Sequence, residues 1–495
     1  MYIESFLENK FSAKGSLWKE RVSDIEKISI IENENNIPKL LAKILAGRKI
    51  ISSDVESFLN PEVNKLLINP SKLFDLDRAV DFITKCMSRR ETIGILGDYD
   101  VDGATSSSIL KLFFDNYNVQ TEIYIPDRLK EGYGPNESAI DFFNNKGINT
   151  FITVDCGATS IEPLNYASLK GMNCIIIDHH KVDNDLPECY AHINPSREED
   201  CSNLNDLAAV GLTFIFVVGL RRAIREKNIF PEIQEPSLKQ YLDLVALGTV
   251  CDVVQLKGLN RAFVKEGIDI ISRKPRLGIE GLKSISGSKD IGVTELGYRI
   301  GPRINAAGRT GSSDLGFRLL TSRNEDEVLA ISERLNNLNN QRQNIEETVL
   351  FEAINNIEAN FVDKKLNTIP SSLIVLGENW HLGVLGIVAG RLKDKYYRPS
   401  FVISSNKGKY TGSVRSISGI DVGKLIIKAV NNNLLLSGGG HQMAAGFSLN
   451  KDTFDNFKKF CEEEIYSQSN NTILNKINYY DDIIDSSNVN RDLYN

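Results

Sequence analysis

The chain has 495 residues, 41% of them hydrophobic, and its 58 Lys and Arg against 65 Asp and Glu give a net charge of −7. Length and composition suit a globular chain of roughly three domains. The acidic balance excludes a protein that coats nucleic acid by bulk attraction, because such binding depends on Lys and Arg neutralising phosphates.

The opening "MYIESFLENKFSAKG" has no apolar h-region, and the longest apolar stretch, "LAAVGLTFIFVVGL", is too short to span a bilayer. A cytoplasmic location is therefore expected. Cys86, Cys156, Cys174, Cys189, Cys201, Cys251 and Cys461 form no C-x-x-C pair, which fits buried reduced thiols better than zinc or disulfides. Residues 1–73 read as an N-terminal helical extension. From 74 to 225 the pattern is α/β: "TIGIL" predicts a strand, "GATSSSILKLFFDNYN" a helix, and "EIYI", "FITV" and "CIII" further strands. Such alternation implies βαβ units and a parallel sheet. Residues 226–323 complete this core with the run "YLDLVALGTVCDVVQL" and a Gly-rich loop, "GPRINAAGRTGS". The segment 324–360 has helical spacing without Pro or Gly and predicts one long connector helix. A second, smaller α/β domain is expected over 361–460, with strands "SLIVL" and "FVIS" and a loop at "SGGGHQMAAGFSL"; 461–495 is an Asn- and Asp-rich tail. The runs "LRRAIREK" and "SRKPRLG" are candidate pieces of a basic groove, or simply solvated charges.

The chemistry gathers at strand ends. "GDYDVDG" follows "TIGIL", "VDCG" follows "FIT", "DHH" follows "CIII", and Asp252 ends the apolar run "LVALGTVCD". Open α/β sheets bind ligands beyond the carboxyl ends of their strands. Asp98, Asp100, Asp102, Asp155, Asp178, His179 and His180 are thus expected at one edge. Any one of these aspartates could be a turn residue or helix cap, but seven groups at one edge are not explained that way. Carboxylates with one or two imidazoles suit manganese or magnesium better than zinc. Two such ions, about 3.5–4 Å apart, can activate a water and clamp the attacking and leaving oxygens of phosphoryl transfer. Asp155, alone on its loop, is the natural bridging carboxylate.

"GDYDVDGATS", "VDCG", "DHH" and "GTVCDVVQL" resemble the four signature motifs of the DHH phosphoesterases, in order. "GYGPN", "GPRINAAGR", "NWHLGVLGIVAGRL", "GSVRS" and "SGGGHQMAAG" resemble, more narrowly, the RecJ family of bacterial single-stranded-DNA-specific exonucleases. The resemblance implies a parallel-sheet DHH domain joined by the long helix to a smaller DHH-associated α/β domain. It also implies a 5′ to 3′ exonuclease that releases mononucleotides from single-stranded DNA in recombination and repair. The expected partners are single-stranded DNA with a 5′ phosphate, a RecQ-type helicase and a single-strand-binding protein. By the same resemblance Asp98, Asp100, Asp102, Asp155, His179 and Asp252 form the metal shell, with Asp155, His179, His180 and Asp252 catalytic. Asp178 would orient the histidines, and His180 would face the scissile phosphate. Arg128, Arg303, Asn305, Arg309, Ser413, Arg415 and His441 would bind substrate. Guanidinium is the bidentate partner for phosphate, and neighbouring glycines admit close backbone approach. Tyr133 and Trp380 are candidates for base stacking, or for the core. Proteins of this family typically continue into an OB-fold, and "INYYDDIIDSSNVN" resembles only the approach to one. Two other readings compete: a DHH phosphodiesterase acting on short oligonucleotides or cyclic dinucleotides, and a non-catalytic replication scaffold. "GPRINAAGR" with the long helix counts against the first, and the intact acidic motifs against the second.

Overall fold

The computed structural model describes residues 12–13, 15–128, 130–182, 185–308, 312–360, 370–406, 408–469 and 475–494. The chain forms two compact units, one of residues 56–340 and one of residues 1–55 with 341–495.

In the unit 56–340, five parallel strands lie in the order Thr121–Tyr124, Ile93–Gly97, Thr150–Val154, Asn173–Ile177 and Ala191–Ile193. Strands Ile93–Gly97 and Thr150–Val154 are buried at every position, Thr150 and Thr153 included, because helices cover both faces. Side chains alternate between those faces. Ile95, Ile152 and Ile175 join the core built on helices Leu76–Ser88, Val101–Asn116, Ala209–Glu226 and Leu242–Cys251. Leu96, Phe151 and Ile176 join the other, beneath helices Glu137–Asn145 and Ile161–Leu169. The sheet therefore delivers its strand ends to one edge in fixed register.

The segment read as a Gly-rich loop is instead helical over Gly301–Ala307, preceded by a wider turn at Leu296–Ile300. The apolar run that Asp252 ends forms the helix Leu242–Cys251.

In the other unit, a mixed sheet runs Ser437–His441, Ala444–Asn450, Lys409–Arg415, Ser400–Asn406, Leu373–Glu378. Only the last pair is parallel. Helices Leu382–Tyr396, Val422–Asn431 and Phe454–Gln468 pack on it. The expected loop at "SGGGH" is thus an edge strand, hairpinned onto Ala444–Asn450. The long helix is continuous over Glu325–Asn360. Leu335 on its first half is buried in one unit's core and Ala353 on its second half in the other's.

The divisions drawn from sequence at 73 and 460 differ from those of the structure. Leu17–Glu20 pairs in parallel with Ile477–Tyr480 of the expected tail. Lys43 bonds Asp482 at 2.7 Å and Arg21 bonds Asp481 at 2.9 Å. Among the described residues no helix is long and apolar enough to cross a membrane.

Candidate metal centre

Asp98, Asp155 and Asp178 each directly follow a strand, and each is nearly fully buried. Asp98 stands where strand Ile93–Gly97 gives way to helix Val101–Asn116. The turn is tight enough that a Cβ at Gly103 would lie 2.4 Å from the Asp98 carbonyl oxygen, so only glycine fits. Asp100 caps this helix, its Oδ1 accepting from the N–H groups of Asp102 at 2.9 Å and Gly103 at 3.1 Å. Asp102 accepts from Ala209 N–H at 2.7 Å and Val210 N–H at 2.9 Å, the first two residues of helix Ala209–Glu226. The positive end of that helix faces the carboxylate. Asp155 adopts φ +60°, sparsely populated by non-glycine residues.

Three overlapping groups result: Asp98, Asp100 and Asp155; Asp102, His179 and Asp252; and Asp155, Asp178, His179 and His180. Asp155 belongs to two of them. His179 Nε2 lies 3.3 Å from Asp155, 3.7 Å from Asp252 and 3.9 Å from Asp102. This nitrogen and Asp98 Oδ1 are buried without a hydrogen-bond partner among the described residues.

Burial and mutual repulsion hold the carboxyls of Asp98, Asp102 and Asp155 well above the usual range. The same causes push Asp252 up to about 7. Burial, with the charge of His180, pulls His179 down to about 4, so its imidazole is neutral at pH 7. Asp178 is the exception. Burial alone would raise it, but the hydrogen bond and charge of His180, with the Ala158 N–H bond and the charge of His179, outweigh that and hold it at about 2, and further backbone N–H groups also bond it. Its hydrogen bonds come from Ala158 N–H at 3.0 Å, His179 N–H at 2.8 Å, His180 N–H at 3.2 Å and His180 Nδ1 at 2.7 Å. Burial would lower His180, yet Asp178 more than offsets it and raises His180 to about 9.

The expected substrate residues fall in two places. In the unit of the metal cluster, Asn305 accepts from Val101 N–H at 3.2 Å, and Arg128 faces the Tyr99 ring at 5.0 Å. Arg303 turns instead to Asn336 at 3.1 Å and to the Arg299 carbonyl at 2.7 Å. Arg309 lies outside the described residues. In the other unit, Ser413 and Arg415 share the strand Lys409–Arg415, and His441 ends an exposed strand of the same sheet. Arg415 Nη1 donates to Ser413 Oγ at 3.2 Å and to the Val414 carbonyl at 3.0 Å.

Trp380 belongs to the core, its Nε1 donating to Glu352 at 2.6 Å. Tyr133 is half exposed, but its hydroxyl donates to the Asp155 carbonyl at 2.8 Å and lies 3.3 Å from His180 Nδ1. The cations of "LRRAIREK" are paired: Arg221 and Arg225 with Glu235, Arg222 with Asp77, Lys227 with Asp81. In "SRKPRLG", Arg276 pairs with Asp243. Sequence reasoning missed the backbone donors of Ala158, Ala209 and Val210, which carry no side-chain signal.

The DHH family, N-terminal domain, matches residues 92–249, and the DHHA1 domain matches residues 369–467. The single-stranded-DNA-specific exonuclease RecJ of Haemophilus influenzae is 33% identical over 411 residues, 81% of this chain and 71% of that protein. The chain belongs to the RecJ family. The Bacillus subtilis RecJ is 31% identical over 90% of this chain, which spans 55% of that protein's length. Among solved structures, RecJ of Thermus thermophilus in complex with Mn2+ superposes with a TM-score of 0.77. It is 26% identical, over 94% of this chain and 65% of that one. A second RecJ crystal structure, bound to manganese, is 30% identical, over 81% of this chain and 98% of that one, with a TM-score of 0.66.

Proposed function

We propose that this RecJ-family chain is a metal-dependent exonuclease that removes mononucleotides from the 5′ end of single-stranded DNA. The observation that carries this reading is the His179 Nε2 atom, buried, unbonded and faced by three carboxylates. A neutral imidazole among carboxylates is a donor set for Mn2+ or Mg2+, and the partnerless Asp98 Oδ1 adds another oxygen. Asp98, Asp100, Asp102, Asp155, His179 and Asp252 would hold two ions, with Asp155 shared between them. Bound there, the ions would activate a water and neutralise charge on the phosphoryl group.

The protein's own groups do the rest. Asp178 fixes the ring of His180 through Nδ1, leaving Nε2 to meet the scissile phosphate; as imidazolium it donates a hydrogen bond or proton there. Arg128 and Asn305 stand beside this edge. Ser413, Arg415 and His441 serve the 5′ phosphate, and Arg303 and Arg309 bind substrate from their own unit. Arg415 supports that role: burial lowers its pKa, and no carboxylate among the described residues lies within ion-pair distance. A phosphate would supply the missing counter-charge. In this scheme residues 74–323 carry the metal centre and 361–460 the phosphate anchor. An enzyme confined to single strands needs duplex opened for it, so a RecQ-type helicase and a single-strand-binding protein are fitting partners in cytoplasmic recombination and repair.

The test uses one oligonucleotide labelled at either end, with Mn2+, Mg2+ or EDTA, beside a short RNA and a cyclic dinucleotide. Labelled mononucleotide should appear from the 5′ end alone and disappear with EDTA or in Asp155→Ala. Preference for the dinucleotide, or release from the 3′ end, would overturn the reading.

A further inference from the structure

We infer that Tyr99 is a positioning residue that holds the Arg128 guanidinium at the phosphate-facing edge, with Gly308 as the seat of its ring. This rests on the proposed function, in which Arg128 meets substrate.

Tyr99 is the odd residue in "DYD", between two carboxylates whose backbone is fixed by a strand end and a helix cap. Its side chain therefore starts from a fixed point. The ring lies against the backbone of Gly308, just past helix Gly301–Ala307, which carries Arg303 and Asn305. A Cβ at Gly308 would stand 2.8 Å from Tyr99 Cδ2 and 3.2 Å from both Cβ and Cγ. Gly308 has φ −64° and ψ −12°, open to any residue, so the absent Cβ is what the site uses. The near atoms are at the root of the ring, which cannot swing away cheaply.

The Arg128 Cζ lies 5.0 Å from the centre of that ring. Arg128 is exposed, and among the described residues no carboxylate is within ion-pair distance of it. A long exposed side chain loses much rotamer freedom when it must meet one phosphate. An aromatic face restrains the guanidinium while leaving its N–H fork free for oxygen. Tyr99 thus links the "PDR" turn to the end of the helix bearing Asn305, whose side chain in turn accepts from Val101 N–H.

The experiment is a double-mutant cycle on 5′-phosphorylated single-stranded DNA with Tyr99→Leu, Arg128→Ala and the pair, Mn2+ affinity being measured by calorimetry in each. Tyr99→Leu should lower kcat/KM about tenfold, chiefly through KM, and Tyr99→Phe should restore most of that loss. In the Arg128→Ala background the same change should cost less than about twofold, because there is no guanidinium left to hold. Mn2+ affinity should stay within about twofold throughout. Gly308→Ala, which keeps the tyrosine but crowds its ring out of this seat, should reproduce part of the KM effect and carries the same cycle if Tyr99→Leu does not fold. A full loss in the Arg128→Ala background, or weakened Mn2+ binding by Tyr99→Leu, would overturn the inference. An impaired Arg128→Ala beside an unimpaired Tyr99→Leu sinks it alone. Full activity in Arg128→Ala removes the substrate role of that edge and the inference with it.

Discussion

Gly386 sits in the helix Leu382–Tyr396, where a Cβ would come within 2.9 Å of Arg415 Nη2 and 3.1 Å of Ser413 Oγ. Alanine in a helix interior is normally favoured over glycine by about 1 kcal/mol. Gly386→Ala should therefore leave the melting temperature unchanged or raise it, yet displace the guanidinium and raise KM for 5′-phosphorylated DNA about fivefold or more. A fall in stability with unchanged KM would show that Arg415 does not serve the phosphate. His192 makes a different prediction. It is 1% exposed, both ring nitrogens lack hydrogen-bond partners among the described residues, and burial with nearby Arg197 lowers its pKa to about 4. The unfolded chain takes up a proton near pH 6.5, the folded one only near 4. Stability should thus be full above about pH 6.5 and fall by about 3 kcal/mol as pH drops to 4. Urea midpoints between pH 7 and 4.5 should be flatter for His192→Phe, and an unchanged slope would refute the assignment. The identity of the acids was legible in sequence, but the bonding of each was not. Asp100 and Asp102 both accept backbone N–H bonds, whereas Asp98 Oδ1 has no hydrogen-bond partner among the described residues.

Helix Ala209–Glu226 acts on the metal centre through its first turn, without contributing a side-chain ligand. Ala208 has φ −70° and ψ 160°, the conformation that a residue before proline adopts, and Ala209 is the first helical position, where proline is tolerated. Ala209→Pro should therefore keep the helix while removing one N–H from Asp102 and crowding its carboxylate. Calorimetry should show Mn2+ binding about tenfold to a hundredfold weaker, with little change in helical circular dichroism. Unaltered affinity would mean that Asp102 is not a ligand. Elements with uniform character were legible. The largely apolar runs at 93–97, 150–154 and 173–177 form the three inner strands, and the Gly- and Pro-free stretch at 325–360 is one helix. Glycine misled in both directions. Gly301 and Gly308 flank a helix because close packing on Cys251 and Tyr99 demands them. Gly438, Gly439 and Gly440 lie in a strand whose ladder supplies the order their composition lacks.

For the molecule as a whole, what sequence could not show is long-range pairing. Residues 17–20 and 477–480 form one small sheet, and no local pattern marks strands that meet across more than 450 residues of chain. The opposite holds for the cluster of acids, where parallel topology turned three local motifs into a shared edge. That edge has an energetic consequence. Without a cation, its carboxyls are desolvated and mutually repelling, so some keep protons near neutrality, Asp252 titrating at about 7. A divalent ion must displace those protons to bind, and binding only to the folded state stabilises it by mass action. Mn2+ at a hundred times its dissociation constant should add about 2.7 kcal/mol to unfolding free energy and raise the melting temperature. For Asp98, Asp102, Asp155 and Asp252 the folded-state pKa lies above the unfolded value, so fewer protons need leaving as pH rises. Apparent Mn2+ affinity should therefore increase from pH 6 to 8. Calorimetry in buffers of different ionisation enthalpy should detect proton release at pH 7, diminishing by pH 8. Asp155→Ala, which removes the carboxylate shared by two of the three groups, should lose most of the thermal shift. If Mn2+ left both the melting temperature and the proton balance untouched, the cluster would not be a metal site.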